Sequence, residues 1–343
     1  MNDRKIRIQD VAAMAGVSVG SASRVLNRAA NVSLDVREKV ERAMVALQYQ
    51  PSHTARALRS RSSRTIGCMF SDVTNPLYAR AFRALEESFR ADGYMLLLAH
   101  GLNDVQRELE SLRTFQARGM DGVICAPGHE QAPELVAMIN AMSMPVVLYD
   151  RKMPGTRADT LLFDHVDGMK RACAHLFGLG HERIALALWN AGSRPVRKRI
   201  EGYRAAYRGA GMAAPDLILR QPTPTSSVYD ELLRLLDGPD PPTALIAQGT
   251  HILVSALRAV ARTGRRIPAD FSVVSIGDSD FTQTHDPAIS ALRTDAELVA
   301  AHAKALLLER LAPGADPMAP PRSITVPYDL IERESWAARG AAV

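Results

Sequence analysis

The stretch from Ile8 to Asn27, IQDVAAMAGVSVGSASRVLN, constrains this chain more than any other. Ile8, Val11, Ala12 and Ala15 recur at helical spacing, and Ala22, Val25 and Leu26 repeat the pattern after a three-residue break. In the break, Gly16 can take the positive φ that ends one helix. Val17 can plug the angle between two helices, and Ser18 can cap the second. An ordinary αα-hairpin has the same outline. The second segment, however, is small and polar along one face, through Gly20, Ser21, Ser23, Arg24 and Asn27, which suits close approach to a groove. The spacing therefore predicts a helix-turn-helix, whose second helix enters the DNA major groove.

Charge points the same way. The 343 residues include 42 Lys and Arg against 37 Asp and Glu. Residues 1–64 hold 12 of the basic and 5 of the acidic residues, which leaves 30 and 32 for the rest. All the excess positive charge thus sits in the first fifth, the footprint of a small module that meets phosphate beside a larger one that does not. With 47% hydrophobic residues the chain can bury a sizeable core. No apolar run reaches the length of a membrane span, and MNDRKIRIQD lacks the apolar core of a signal peptide, so a cytoplasmic location is expected. Cys68, Cys125 and Cys173 lie far apart, without metal or disulfide spacing, and are expected as buried thiols.

A third helix is predicted from about Leu34 to Leu47, with Val36, Val40, Ala43, Met44 and Leu47 as its apolar stripe and Ser33 and Asp35 at its start. After Gln50-Pro51-Ser52, the piece His53–Ser60 carries Arg56 and Arg59, with Arg61 and Arg64 beyond. It is too short to be a stable helix alone. It reads either as a basic linker or as a hinge that becomes helical beside a partner helix and DNA. Leu58, its one large apolar side chain, suits a wedge pushed into a minor groove.

From Thr65 the texture alternates. Thr65–Phe70, Tyr94–Leu98, Gly122–Ala126, Val146–Tyr149, Leu161–Phe163, Ile184–Leu188, Ala244–Ala247 and Ser272–Ile276 read as buried strands, separated by helical patterns from Leu77–Asp92 to Asp295–Leu311. This predicts parallel sheets covered by helices, in two lobes, with a ligand cleft at the carboxyl ends of the strands. The expected fold class is a small all-α headpiece plus an α/β core of two parallel-sheet lobes. The expected domains are a headpiece over residues 1–50, a hinge and linker over 51–64 and a two-lobed core over 65–343.

The runs DVAAMAGVSVGSASRVLN, QYQPSHTARALRS and TIGCMFSDVTNPLYA resemble the lac-repressor (LacI/GalR) family of bacterial transcription regulators. GLGHERIAL, RKRIEGYRAA, PPTALIA and RRIPADFSVVSIGD extend the resemblance along essentially the whole chain. It implies a homodimer that reads a pseudo-palindromic operator in double-stranded DNA, and a cleft similar to that of periplasmic sugar-binding proteins that takes a small effector. It implies no cofactor, no metal and no catalysis. By position, Ser18 falls at the cap of the recognition helix, where contact with phosphate is expected. Val19 and Gly20 fall at the positions that read base edges. Gly20 can only permit close approach, so specificity leans on Val19 and Arg24, with Ser21 and Ser23 on phosphate or bases. Arg24 suits a guanine edge. Leu58 matches a lever that opens the central operator step.

In the core, Ser71, Leu77 and Tyr78 match pocket positions after the first strand, Asp150 an acidic one after the fourth, and Arg199 an arginine that clamps effector hydroxyls or carboxylate. Plain structural roles compete with these: Asp150 paired with Arg151, Tyr78 as packing, and Arg197-Lys198-Arg199 as a solvated charged face. Where the family often has Asn-Asp the chain has Gly249-Thr250. Where an effector-binding Asp is usual it has Gly277, with Asp278 and Asp280 beside it, and an aromatic expected near Pro222-Thr223 is absent. Thr250 and Asp278 are the substitutes at hand. Fewer carboxylates and several arginines point to a sugar acid over a neutral hexose. Arg7 replaces the usual hydroxylated cap of the first helix.

Two matches are decoys. Gly16-Val17-Ser18-Val19-Gly20 fits a hydrolase GxSxG elbow, which requires a strand before it. Asn31-Val32-Ser33 fits a glycosylation sequon, a pattern frequent by chance. A periplasmic-type solute receptor and a sugar-metabolising enzyme are the rival readings. The first lacks a signal peptide and the second a catalytic constellation. The tail LIERESWAARGAAV has no leucine heptads, so a dimer is expected rather than a coiled-coil tetramer.

Overall fold

The computed structural model of the protein describes residues 6–26, 31–49, 62–189, 192–222 and 226–340. The chain divides into two units, Met1–Ser63 and Arg64–Val343. In the first, α1 (Ile8–Ala15), α2 (Val19–Leu26) and α3 (Leu34–Ala46) bury Val11, Ala12, Ala15, Ala22, Val25, Val40 and Ala43 together. Gly16 ends α1 at φ +64°, and the Val17 N–H turns back to the Ala12 carbonyl at 3.0 Å. Arg7 has no acceptor with which to cap α1. Asp10 makes the start secure instead, its Oδ2 accepting from the Arg7 N–H at 2.8 Å. Ser33 stands at the start of α3 without a side-chain capping bond, while Asp35 pairs with Lys39 one turn on. The expected hinge falls almost wholly at residues 50–61, outside the described residues.

In the second unit, β1 (Thr65–Phe70), β2 (Met95–His100), β3 (Gly122–Cys125), β4 (Val146–Tyr149), β5 (Asp159–Phe163) and β11 (Ser323–Val326) form one parallel sheet in the order β11-β5-β4-β3-β1-β2. Helices α4 (Pro76–Arg90), α5 (Val105–Ala117) and α6 (Pro133–Ala141) connect its strands. The second sheet comprises β6 (Ile184–Trp189), β7 (Ile218–Gln221), β8 (Ala244–Gln248), β9 (Ser272–Ile276), β10 (Ser290–Arg293) and β12 (Asp329–Ile331), in the order β12-β10-β9-β8-β6-β7. It is parallel except where β12 lies on β10. Its helices are α7 (His165–Gly178), α8 (Arg194–Gly209), α9 (Tyr229–Leu236), α10 (Gly249–Arg262) and the short α11 (Asp280–Thr284). Helix α12 (Ala296–Leu311) returns to pack on α4 of the first lobe. The chain therefore passes between the sheets after β5, β10 and β11.

Alternation fixes each lobe. Ile184, Leu186 and Leu188 of β6 join the core under α7 and α8, whereas Ala185 and Ala187 join that under α9 and α10. Tyr203 and Tyr207 pin α8 to the start of β6: the Tyr203 hydroxyl donates to the Ile184 carbonyl at 2.7 Å and that of Tyr207 to Glu182 at 2.8 Å. Strand β2 departs from expectation. Read as buried, it lies at the edge of its sheet with Met95, Leu97 and Leu98 exposed. All three cysteines are buried, and burial pushes their thiols up, Cys173 to about 12.

Candidate functional site

In the first unit α2 carries the residues predicted to read DNA. The Ser18 Oγ accepts from the Ser21 N–H at 3.0 Å and so caps α2. Ala22 and Val25 are buried, which turns Val19, Gly20 and Arg24 outward, with Ser21 and Ser23 at the flanks. Val19 is 42% exposed. Arg24 folds back along α2, its Nε 3.4 Å from the Gly20 carbonyl and its Nη2 3.5 Å from the Ser21 Oγ. These contacts are long and easily given up. Asn27 and Leu58 lie outside the described residues. The Gly16–Gly20 match sits between two helices, where no nucleophile elbow can form.

In the second unit the predicted core residues converge where the two sheets present their carboxyl ends. Ser71 closes β1 and is buried. Tyr78 stacks on Phe70, centroids 4.8 Å apart, and its hydroxyl accepts from Arg151 Nη2 at 3.3 Å. Packing and polar contact are therefore both its role. Asp150 follows β4 at φ +52°. Its carboxylate does not pair with the side chain of Arg151, which donates to the Pro127 and Asp150 carbonyls. It accepts from Arg194 Nη1 at 2.9 Å and lies 2.8 Å from His165 Nε2. Burial alone would raise this carboxyl, but His165 and the guanidinium groups of Arg151 and Arg199 outweigh it and hold it below the ordinary value. Burial lowers His165, with the nearby arginines adding to the effect against Asp150, so its contact with Asp150 is that of a neutral imidazole near pH 7.

Arg199 separates from its charged neighbours. Lys198 reaches out to Glu201, and Arg197 is half-exposed, but Arg199 is only 7% exposed. Its Nε and Nη1 have no acceptor among the described residues. Beside it the Tyr328 hydroxyl is pushed up to about 12, chiefly by burial. A buried guanidinium with open donors costs more than an ordinary unmet hydrogen bond, about 1–3 kcal/mol or above, a cost that an anionic acceptor would relieve.

The departures have physical reasons. A Cβ at Gly277, whose φ is +110°, would lie 2.5 Å from Leu77 Cδ1. Leu77 fills the space that an acidic side chain there would need. Asp278 is taken up by Thr282 at 2.7 Å and by Arg333 at 2.9 Å, so its charge is spent within its own lobe. Burial would raise it, but these partners hold it low. Thr250 Oγ1 lies 3.1 Å from Ser279 Oγ, at the start of α10. Sequence reasoning missed Glu130, Arg194, His165 and Tyr328. Only Arg194, preceding a proline at a helix start, left a local signal.

Comparison with known proteins bears on this arrangement. Residues 7–52 match the model described as bacterial regulatory proteins, lacI family. These residues are those of a lacI-family DNA-binding domain. Residues 173–336 match a periplasmic binding protein-like domain. Among curated lacI-family relatives, the chain is 29% identical over 307 residues to the ribose operon repressor of Escherichia coli strain K12, covering 89% of this chain and 92% of that protein. It is 27% identical over 331 residues to the transcriptional repressor PurR of Haemophilus influenzae strain PittEE, covering 96% and 98%. The structure is similar to that of the lac repressor dimer bound to operator and the anti-inducer ONPF, with TM-score 0.84, 25% identity and coverage of 98% and 100%. It is also similar to a complex of the regulator CelR with cellobiose, with TM-score 0.69, 27% identity and coverage of 96% and 99%. The helix-turn-helix region and two-lobed α/β core are thus those of a lac-repressor-like transcription regulator.

Proposed function

We propose that this lacI-family protein is a cytoplasmic, homodimeric repressor whose hold on a pseudo-palindromic operator is controlled by a sugar acid bound between the core lobes. Catalysis plays no part. The observation that carries the effector class is Arg199, buried with two open donors beside Arg194 and Arg151, in a cleft whose one remaining family carboxylate, Asp150, is already neutralised. A carboxylate on the ligand meets Arg199; ligand hydroxyls meet Ser71, Tyr78 and Thr250, and Leu77 packs on the ring. Asp150 orients Arg194, and Asp278 shapes the loop that carries Gly277.

On DNA, Ser18, Ser21, Ser23 and Asn27 hold phosphate or bases, Val19 and Arg24 read base edges, and Leu58 opens the central step. Effector shifts the balance between lobe arrangements, and with it the folding of the hinge over residues 51–64 between headpiece and core. A few kcal/mol of differential affinity is enough for such a shift. Dimerisation is supported by the edge strand β2, which leaves Met95 and Leu97 exposed on one face and Leu98 on the other, an apolar edge that a second copy would cover. The ribose operon repressor and PurR, the two relatives named above, are repressors, which favours repression over activation.

Titrating the purified protein with a panel of sugar acids and neutral sugars tests the effector class. Binding is expected for at least one sugar acid and is lost in Arg199→Ala. Tight binding of neutral sugars alone would overturn it. Gel shifts with genomic fragments at stated salt test the regulator reading: Leu58→Ala should lose tight operator binding and keep effector binding, while Arg199→Ala should do the reverse.

A further inference from the structure

The first turn of α8 is held by the opposite lobe. Glu130, in the loop between β3 and α6, is only 3% exposed. Its Oε1 accepts from the backbone N–H of Arg194 at 2.7 Å, and its Oε2 from Arg197 Nη2 at 2.8 Å. Arg151 Nε stands 3.8 Å from Oε1. The residue at the helix's own capping position, Ser193, makes no side-chain capping bond. A helix of the second lobe thus receives its capping carboxylate from the first, at the end where its dipole is positive. Asp150 adds a second stitch through Arg194 Nη1. Tyr203 and Tyr207 anchor α8 to β6, so whatever grips α8 grips its whole lobe.

Arg199 lies one turn further along α8. Its open donors are buried in the arrangement in which Glu130 is engaged. We propose that Glu130 is an interlobe latch, an internal carboxylate that occupies the anion-binding end of α8 and holds the cleft closed until an acidic effector replaces that grip. The proposal rests on the reading of the cleft as an effector site, but the latch itself is testable without effector or DNA. Its effect is regulatory: it favours one lobe arrangement in the free repressor and sets how often Arg199 becomes reachable.

Hydrogen–deuterium exchange on the full chain, with nothing added, reads the latch directly. In Glu130→Ala the Arg194 amide should exchange about tenfold faster or more, in line with losing a charge-assisted cap, while β8 of the same lobe keeps its wild-type rate. Arg197→Gln, which leaves the backbone cap in place, should act in the same direction and more weakly. It serves alone if Glu130→Ala does not fold. Unchanged exchange at Arg194 in Glu130→Ala, or in Arg197→Gln where that variant stands alone, overturns the latch. A stopped-flow arm uses D-glucuronate as probe: faster association in Glu130→Ala supports the latch and an unchanged or slower rate counts against it. If no sugar acid binds either protein, the effector reading fails and the exchange result still decides the latch.

Discussion

Gly20 is the residue whose identity the headpiece does not explain. It lies inside α2, where glycine costs about 0.5–1 kcal/mol relative to alanine. Its φ is not positive, and a Cβ there would meet only Ser18 Oγ, at an ordinary 3.7 Å. The fold therefore has room for alanine and would gain from it; on the proposed reading of α2 as the recognition helix, the reason for glycine is a DNA surface that approaches the backbone closely. Gly20→Ala should raise headpiece stability by about that amount in thermal melts. The same variant should weaken binding to a selected operator about tenfold or more, equivalent to ~1.4 kcal/mol, by fluorescence anisotropy. A stabilised headpiece with unchanged operator affinity would show that position 20 does not face the groove. Arg24 complements this opening. Its two long contacts to the Gly20 carbonyl and Ser21 Oγ hold the guanidinium near α2 at little cost, and on the proposed reading they are exchanged for a guanine edge.

At the scale of elements, strand β2 is unpaired along one edge and apolar on both faces. Edge strands of this composition are usually covered. Leu98→Asp places a charge on that edge without touching the buried Leu96, and should convert the dimer to a monomer in sedimentation velocity. Operator affinity should then fall, because the second half-site is no longer engaged within one complex. Persistence of the dimer would move the interface elsewhere. The exposure of β2 was not legible in MLLLAH, since an apolar run reads alike whether it is buried in a sheet or covered by a second chain. Central strands were legible for the complementary reason: β1, β4 and β9 are largely apolar or small-residue runs, buried almost throughout, with the bounds their residues suggest. Strands β7, β10, β11 and β12 were not, being three or four residues long and partly polar, and taking their conformation from neighbours. The site divides in the same way. Ser18, Asp150 and Arg199 stand at pattern positions. Glu130 sits in the unremarkable run GHEQ and becomes buried only because α8 meets it from the other lobe. The carboxylate of Asp278 is spent on Arg333, 55 residues further on, which no local pattern announces.

The core as a whole is joined around a buried imidazole, and that makes its stability depend on pH. His165 opens α7 where the chain first crosses between lobes. Its Nε2 faces Asp150 at 2.8 Å and its Nδ1 the Tyr328 hydroxyl at 3.2 Å. Burial, reinforced by Arg199 and Arg194 and opposed by Asp150, lowers its pKa from the ordinary 6.5. The folded core thus resists a proton that the unfolded chain accepts. The contribution of His165 is complete above about pH 6.5 and is lost as pH falls from there towards the lowered folded value. Asp150 has the same dependence lower down: held below its ordinary 3.8, it contributes fully above that pH and loses its contribution as pH falls further. His181, also lowered by burial and bonded to Thr243, adds to the His165 window. The Tm of the full chain should therefore drop between about pH 7 and pH 5. His165→Gln should flatten part of that drop, the residue of the slope belonging to His181, and should leave the loss near pH 4 and below in place. A slope between pH 7 and 5 that is identical in His165→Gln would mean that the fold does not lower the imidazole, and a steeper one that the imidazole is protonated in the folded core. The crossing between lobes would then rest on an ion pair with Asp150 rather than on a neutral hydrogen bond.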